Sequence, residues 1–308
     1  LRTHGPGRTG GDDSAFNQEH ENMNRRDWLG NTLAGALALV LTPVSVFARG
    51  AETDGRLAAL ERRHGGRLGV AILDTGSGRR LLHRADERFL MCSTFKLLLV
   101  ANVLKQVEAG KEHLDRRVVF GRDVLLEYAP VTRDHAGKNG MNVEELCAAA
   151  ITLSDNTAAN LLLKAVGGPA AVTAHARTLG DAVTRLDRME PELNRPDGDL
   201  DTTTPQAMLG DLQALILGDA LSQPSREKLT NWLIACKTGL QSVRAGLPGD
   251  CRAGDKTGTG RHASNDVVVA WPSGRKPVLI SAYYTHDSLD ADGRRAVLAE
   301  VGDIVAAL

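Results

Sequence analysis

The chain has 308 residues, 42% of them hydrophobic, and a formal charge of −1. That composition belongs to a soluble globular protein with room for one large domain or two moderate ones. It carries no basic excess for a nucleic-acid partner, and its nine histidines form neither an H-E-x-x-H nor an H-x-H cluster, which argues against a zinc hydrolase.

Residues 1–22 are rich in glycine and polar residues and precede Met23. They read as read-through of an upstream start or as a disordered extension. Met23-Asn24-Arg25-Arg26-Asp27-Trp28-Leu29 has the form of a twin-arginine export signal, followed by an apolar stretch to Phe47 and the small residue Ala48. Asn31, Thr32 and Pro43 interrupt that stretch, which is only just long enough to span a bilayer. A removable signal is therefore expected, not a stable membrane anchor. Cleavage after residue 48 would deliver a mature chain, residues 49–308, to the periplasm.

Leu57 to Arg63 reads as a first helix. Leu68–Leu73 and Arg80–His83 flank the turn Asp74-Thr75-Gly76-Ser77-Gly78, a hairpin signal. From Ser93 to about Cys236 the patterns are helical or loop-like. Strand patterns return at Val267–Trp271 and Val278–Tyr284, and the chain closes with an amphipathic helix from Asp292 to Leu308. The expected fold is α/β (α+β): one antiparallel sheet flanked by helices, with an all-helical part inserted.

Four signatures lie along this frame in one order: Ser93-Thr94-Phe95-Lys96, Ser154-Asp155-Asn156, Glu190-Pro191-Glu192-Leu193-Asn194 and Lys256-Thr257-Gly258. Each alone is weak. Together they supply a nucleophile, two lysines to manage its proton, a carboxylate base and donors for an anionic substrate. That set is a complete kit for opening an amide through a covalent acyl-enzyme and then hydrolysing it. Ser93 and Lys96 open a run that is apolar nearly all round to Leu104, as in a helix buried at the centre of a domain. One turn apart, they share a face and can touch.

Two signatures have second copies. Ser225-Arg226-Glu227-Lys228 follows Pro224 and opens an amphipathic run, so Ser225 reads as a helix N-cap. Lys237-Thr238-Gly239 follows that helix, where a lysine and a glycine are ordinary C-terminal residues. Both copies read as structural. Asp74-Thr75-Gly76-Ser77 imitates an aspartic-protease signature but has no second copy.

The ordered set, with the surrounding Met91-Cys92 and Thr157-Ala158-Ala159-Asn160, resembles the class A serine β-lactamases from about Arg67 to the C-terminus. The resemblance implies the β-lactamase/D,D-peptidase fold, with residues 49–90 and 240–308 in the α/β part, residues 91–239 in the all-helical part and the site in the cleft between them. It implies a monomer that hydrolyses small-molecule β-lactams (penicillins and cephalosporins) without cofactor or metal, and so confers antibiotic resistance. It also selects Lys256 over Lys237, because Lys256 lies between the turn Gly246-Leu247-Pro248-Gly249 and the strand pattern from Asp266 to Trp271.

By that resemblance Ser93 is the nucleophile, and its proton goes either to Lys96 or, through a water, to Glu190. Glu190 and Asn194 hold the hydrolytic water. Ser154, helped by Lys256, relays a proton to the departing lactam nitrogen, and Asn156 hydrogen-bonds the substrate's side-chain amide. Backbone N–H groups of Ser93 and Thr259 form the oxyanion hole. The Thr257 and Thr259 hydroxyls bind the substrate carboxylate, and Tyr128 forms an aromatic wall.

The chain departs from the family pattern in three places. Ser242 and Asn265 stand where many members carry a carboxylate-binding arginine, and Arg295 on the C-terminal helix matches a third option. Arg188 and Asp201 match a salt bridge tying the ends of the glutamate loop, but the segment Arg195 to Leu200 is shorter than usual. Of the four cysteines, Cys147 and Cys92 face Val100 and Gly260 at the positions of their family partners, so neither familiar bridge can form. Cys236–Cys251 stays open, with free buried cysteine the default. The rival readings are a penicillin-binding D,D-peptidase, which normally lacks the Glu190–Asn194 element, and a non-hydrolysing β-lactam sensor, which is normally membrane-tethered.

Overall fold

The structure is a computed structural model and describes residues 52–53 and 55–308. The export signal with Arg25 and Arg26, the apolar stretch and the cleavage region lie outside the described residues. In chain order, β1 (Glu52–Thr53) and α1 (Gly55–His64) lead into the hairpin β2 (Arg67–Asp74) and β3 (Arg80–His83). After β4 (Phe89–Leu90), a 3-10 turn at Cys92–Thr94 runs directly into α2 (Phe95–Glu108). Then come β5 (Arg117–Val118), β6 (Met141–Asn142), α3 (Val143–Thr152), α4 (Asn156–Val166) and α5 (Pro169–Thr178). β7 (Thr202–Thr203), α6 (Pro205–Ile216) and α7 (Gln223–Ile234) follow, and the chain closes with β8 (Arg252–Thr259), β9 (Ala263–Trp271), β10 (Val278–Thr285) and α8 (Ala291–Ala306).

The main sheet runs β1-β3-β2-β10-β9-β8. It is antiparallel except for the β1–β3 edge pair. Its central strands are buried on both faces, so they read as continuous apolar runs. The two-residue period still sorts them. Val268 and Ala270 join Leu57 of α1 and Val297 of α8 in one core, while Val267 and Val269 join the helices on the other side. α2 threads that second core, with every residue from Phe95 to Leu104 buried. α6 lies within the segment expected to be all-helical, yet it packs against β2, β9 and β10 of the sheet.

Two expectations need correction. The stretch from Ser93 to Cys236 is not only helix and loop: β5 pairs with β6, and β7 pairs with β4. Two-residue strands are too short to show a period of two, so long-range pairing alone reveals them. Ser225 is not the cap of α7. Ser222 takes that position, Pro224 sits in the first turn and Ser225 is buried inside the helix. Proline fits the first turn because its missing N–H would be unpaired there anyway. All four cysteines are free, with Cys251 half-buried and the other three buried.

Candidate active site

Ser93 sits in the 3-10 turn at the head of α2. The residue before it, Cys92, has a left-handed backbone (φ +46°), a conformation that costs energy outside glycine and recurs at functional sites. The turn is clamped from the sheet side. Asn265 Nδ2 donates to the carbonyls of Leu90 (2.8 Å) and Met91 (3.0 Å). β8 closes against the same turn, and a Cβ on Gly258 would lie 2.6 Å from Met91 O. Glycine is what permits that approach.

Lys96 projects from the first turn of α2 into a site with no solvent exposure. Its Nζ donates to Ser93 Oγ (2.9 Å), Asn156 Oδ1 (2.6 Å) and Ser154 O (2.8 Å), and lies 3.3 Å from Glu190 Oε1. Burial pushes this ammonium down to about 8; the Glu190 carboxylate opposes the shift and the charge on Lys256 adds to it. Ser93 Oγ in turn donates to Glu190 Oε1 at 3.2 Å.

Ser154 also has a left-handed backbone (φ +58°). Asp155 behind it caps α4 by accepting from Ala158 N at 2.8 Å, and its other oxygen accepts from Val131 N and Thr132 N, each at 2.9 Å. That cap ties the Tyr128 loop to the helix, as does Asn156 N donating to Tyr128 O (3.1 Å). Lys256 on β8 is fully buried and donates to Ser154 Oγ at 3.0 Å and Thr257 O at 2.7 Å. Burial lowers its pKa too. Lys96 also donates to Ser154 Oγ, at 3.3 Å. With both lysines donating to its oxygen, Ser154 keeps its own hydrogen free to give away.

Glu190 comes from the long loop between α5 and β7. Asn160 of α4 grips its backbone at both polar atoms, donating from Nδ2 to Glu190 O (2.8 Å) and accepting from Glu190 N (3.0 Å). Asn194 Nδ2 donates to Glu190 Oε2 at 2.6 Å. Asn194 Oδ1 is buried and has no hydrogen-bond partner among the described residues. The loop's ends are joined where Asp201 accepts from Arg188 Nε (2.6 Å), Arg188 N (2.9 Å) and Asp187 N (2.8 Å).

Ser93, Lys96, Ser154, Asn156, Glu190, Asn194 and Lys256 thus form one network. A cleft of about 600 Å³ opens in front of it, lined also by Tyr128, Thr257, Thr259 and Arg295. Arg295 pairs with Asp292 one turn earlier on α8. The cleft wall further includes Lys237, Thr238, Leu240 and Gln241, so the second Lys-Thr-Gly copy is not merely a helix end. Asn160 is the other residue the sequence reading passed over. It lies in the quoted run from Ser154 and shares a helix face with Asn156, four residues before it.

Charge and proton donors converge on one oxygen, Ser93 Oγ, and fold and site together define a serine hydrolase of the acyl-enzyme kind. A profile of the β-lactamase enzyme family matches residues 53–308. The chain is 50% identical over 279 residues to β-lactamase L2 of Stenotrophomonas maltophilia, covering 87% of this chain and 92% of that one. It is 46% identical over 273 residues to β-lactamase CTX-M-8 of Citrobacter amalonaticus, covering 87% and 93%. Among solved structures, an ancestral class A β-lactamase of Gram-negative bacteria superposes with a TM-score of 0.80 at 60% identity, covering 82% of this chain and 99% of that one. The chain belongs to the β-lactamase enzyme family, in class A, and hydrolyses β-lactams, the chemistry of antibiotic resistance.

Proposed function

We propose that Ser93 attacks the lactam carbonyl and that Glu190 with Asn194 directs the water that releases the acyl group. The observation that carries this reading is the shared contact at Ser93 Oγ, which accepts from Lys96 at 2.9 Å and donates to Glu190 at 3.2 Å. Either group can take the serine's proton, Lys96 in its neutral form or Glu190 through a water. Backbone N–H groups of Ser93 and Thr259 stabilise the oxyanion. As the C–N bond breaks, Ser154 passes its proton to the lactam nitrogen, and Lys256, which donates to Ser154 Oγ, supports the oxygen that gave it up. Asn156 takes the substrate's side-chain amide. Thr257, Thr259 and Arg295 take the ring carboxylate, and Tyr128 covers the ring.

Deacylation needs a water held against the ester. Glu190 supplies a carboxylate already bonded to Asn194, and Asn194 Oδ1 supplies a second acceptor for a water hydrogen. The enzyme acts as an exported monomer, freed in the periplasm from a twin-arginine signal around Arg25 and Arg26. Among the described residues no helix is long and apolar enough to cross a membrane.

The test is Glu190→Ala with benzylpenicillin, followed by intact-protein mass spectrometry. The expected result is an adduct of one penicillin on Ser93 that persists while turnover falls by about 10³ or more. Undiminished turnover would remove Glu190 from the mechanism.

A further inference from the structure

The second Lys-Thr-Gly holds a contact that the mechanism above does not use. Thr238 Oγ1 lies 2.5 Å from Thr257 Oγ1, and Cys236 Sγ lies 3.2 Å from Thr238 Oγ1. Each hydroxyl has one hydrogen and two lone pairs, whereas a carboxylate only accepts. Thr257 therefore spends its one hydrogen on the substrate carboxylate. In its contact with Thr238 it must accept. We propose that Thr238 is a positioning residue: its hydroxyl donates to Thr257 Oγ1 and so turns the Thr257 hydrogen toward the carboxylate in the cleft. This rests on the reading of Thr257 as a carboxylate ligand.

The surroundings of Thr238 support that direction. Cys236 is buried, and burial pushes its thiol up to about 11, so it keeps its S–H, and a Thr238 oxygen that donates to Thr257 still has both lone pairs open to it. The segment cannot drift away. Lys237 N donates to Thr152 O (2.9 Å), and Arg244 Nη1 donates to Cys236 O (3.2 Å) and Asp255 Oδ1 (2.8 Å). Gly239 lets the segment close on β8, since a Cβ there would lie 1.9 Å from Asp255 Oδ2. Two hydroxyls are thus held together across 19 positions of sequence by contacts that do not involve them.

The experiment compares Thr238→Val, Thr238→Ser and Thr257→Val in the full enzyme with benzylpenicillin. Valine keeps the shape of Thr238 and removes its donor. Thr238→Val should lower kcat/KM about fivefold through KM, with kcat within about twofold of wild type, the scale of one oriented hydrogen bond. Thr238→Ser should restore wild-type behaviour. A Thr238→Val enzyme indistinguishable from wild type overturns the proposal, as does an equal fall in kcat or a failure of serine to rescue. Thr257→Val separates the two levels. If it leaves KM unchanged, the carboxylate assignment to Thr257 itself fails; if it raises KM while Thr238→Val does not, only the role of Thr238 is lost.

Discussion

Lys96 Nζ and Glu190 Oε1 lie 3.3 Å apart with both side chains fully enclosed. The pair joins the two groups proposed to take the serine's proton, and the carboxylate bears directly on the readiness of the lysine. The carboxylate favours a charged lysine; burial and Lys256 favour a neutral one, and the balance stands at about 8. Lys96 thus gives up its proton more readily than an ordinary lysine, which is what a base working near neutral pH needs.

That balance predicts the behaviour of Glu190→Gln, which keeps the shape and removes the charge. Without the carboxylate the proton on Lys96 is held less tightly, so its midpoint should fall below about 8. The acylation burst with a chromogenic cephalosporin, followed by stopped flow, should rise with pH through that lower midpoint and then level. A burst abolished at every pH would instead make Glu190 the acylation base.

Asp201 is wholly buried and accepts three hydrogen bonds from the Asp187–Arg188 end of the loop. An amide in its place turns an N–H₂ toward one of those donors. Asp201→Asn should cost about 2–4 kcal/mol, less than a fully buried pair because Arg188 keeps some contact with water. Thermal unfolding should show the loss, and kcat should fall more than the acylation rate, since the loop carries the groups proposed for deacylation. Native melting and native kcat would argue against the tie.

Arg295 lines the cleft and is steadied by Asp292 on the first turn of α8. Arg295→Ala should raise KM about tenfold for substrates with a ring carboxylate, the scale of a hydrogen bond between charged partners. Unchanged Michaelis constants across penicillins and cephalosporins would end its role.

Asp211 on α6 is buried, and burial together with the charge on Asp181 pushes its carboxyl well above the usual range, with Arg177 opposing. The folded state therefore holds this proton more tightly than the unfolded chain, whose value is about 3.9. The stability it brings is complete below that value and is lost as pH rises through the native one. Asp211→Asn should leave the melting temperature unchanged near pH 3.5 and raise it at pH 7.5 by at least about 2–4 °C. Equal melting at both values would refute the shift.

Long, patterned elements were legible from sequence. The β2–β3 hairpin announces itself by the turn from Asp74 to Gly78 between two apolar runs, and the buried course of α2 by the run from Phe95 to Leu104. What was illegible depends on choices made in space. Ser222 and Ser225 both suit a cap, and only packing puts Ser225 inside the helix. Thr238 looks like an ordinary residue after a helix until β8 brings Thr257 against it. Asn160 sits in plain view in its motif, but the atoms it holds belong to Glu190, 30 positions on.

In the proposed mechanism, capture and release draw on different segments of chain. Ser93 stands in the turn at the head of α2, Lys96 on α2 and Lys256 on β8, whereas Glu190 and Asn194 stand on a loop fastened at its ends by Arg188 and Asp201. A compound that pried this loop loose would leave the serine competent and strip away the route back to free enzyme. The protein would then become a sink, consuming one drug molecule per copy, and a cell could defend itself only in proportion to how much of it it makes.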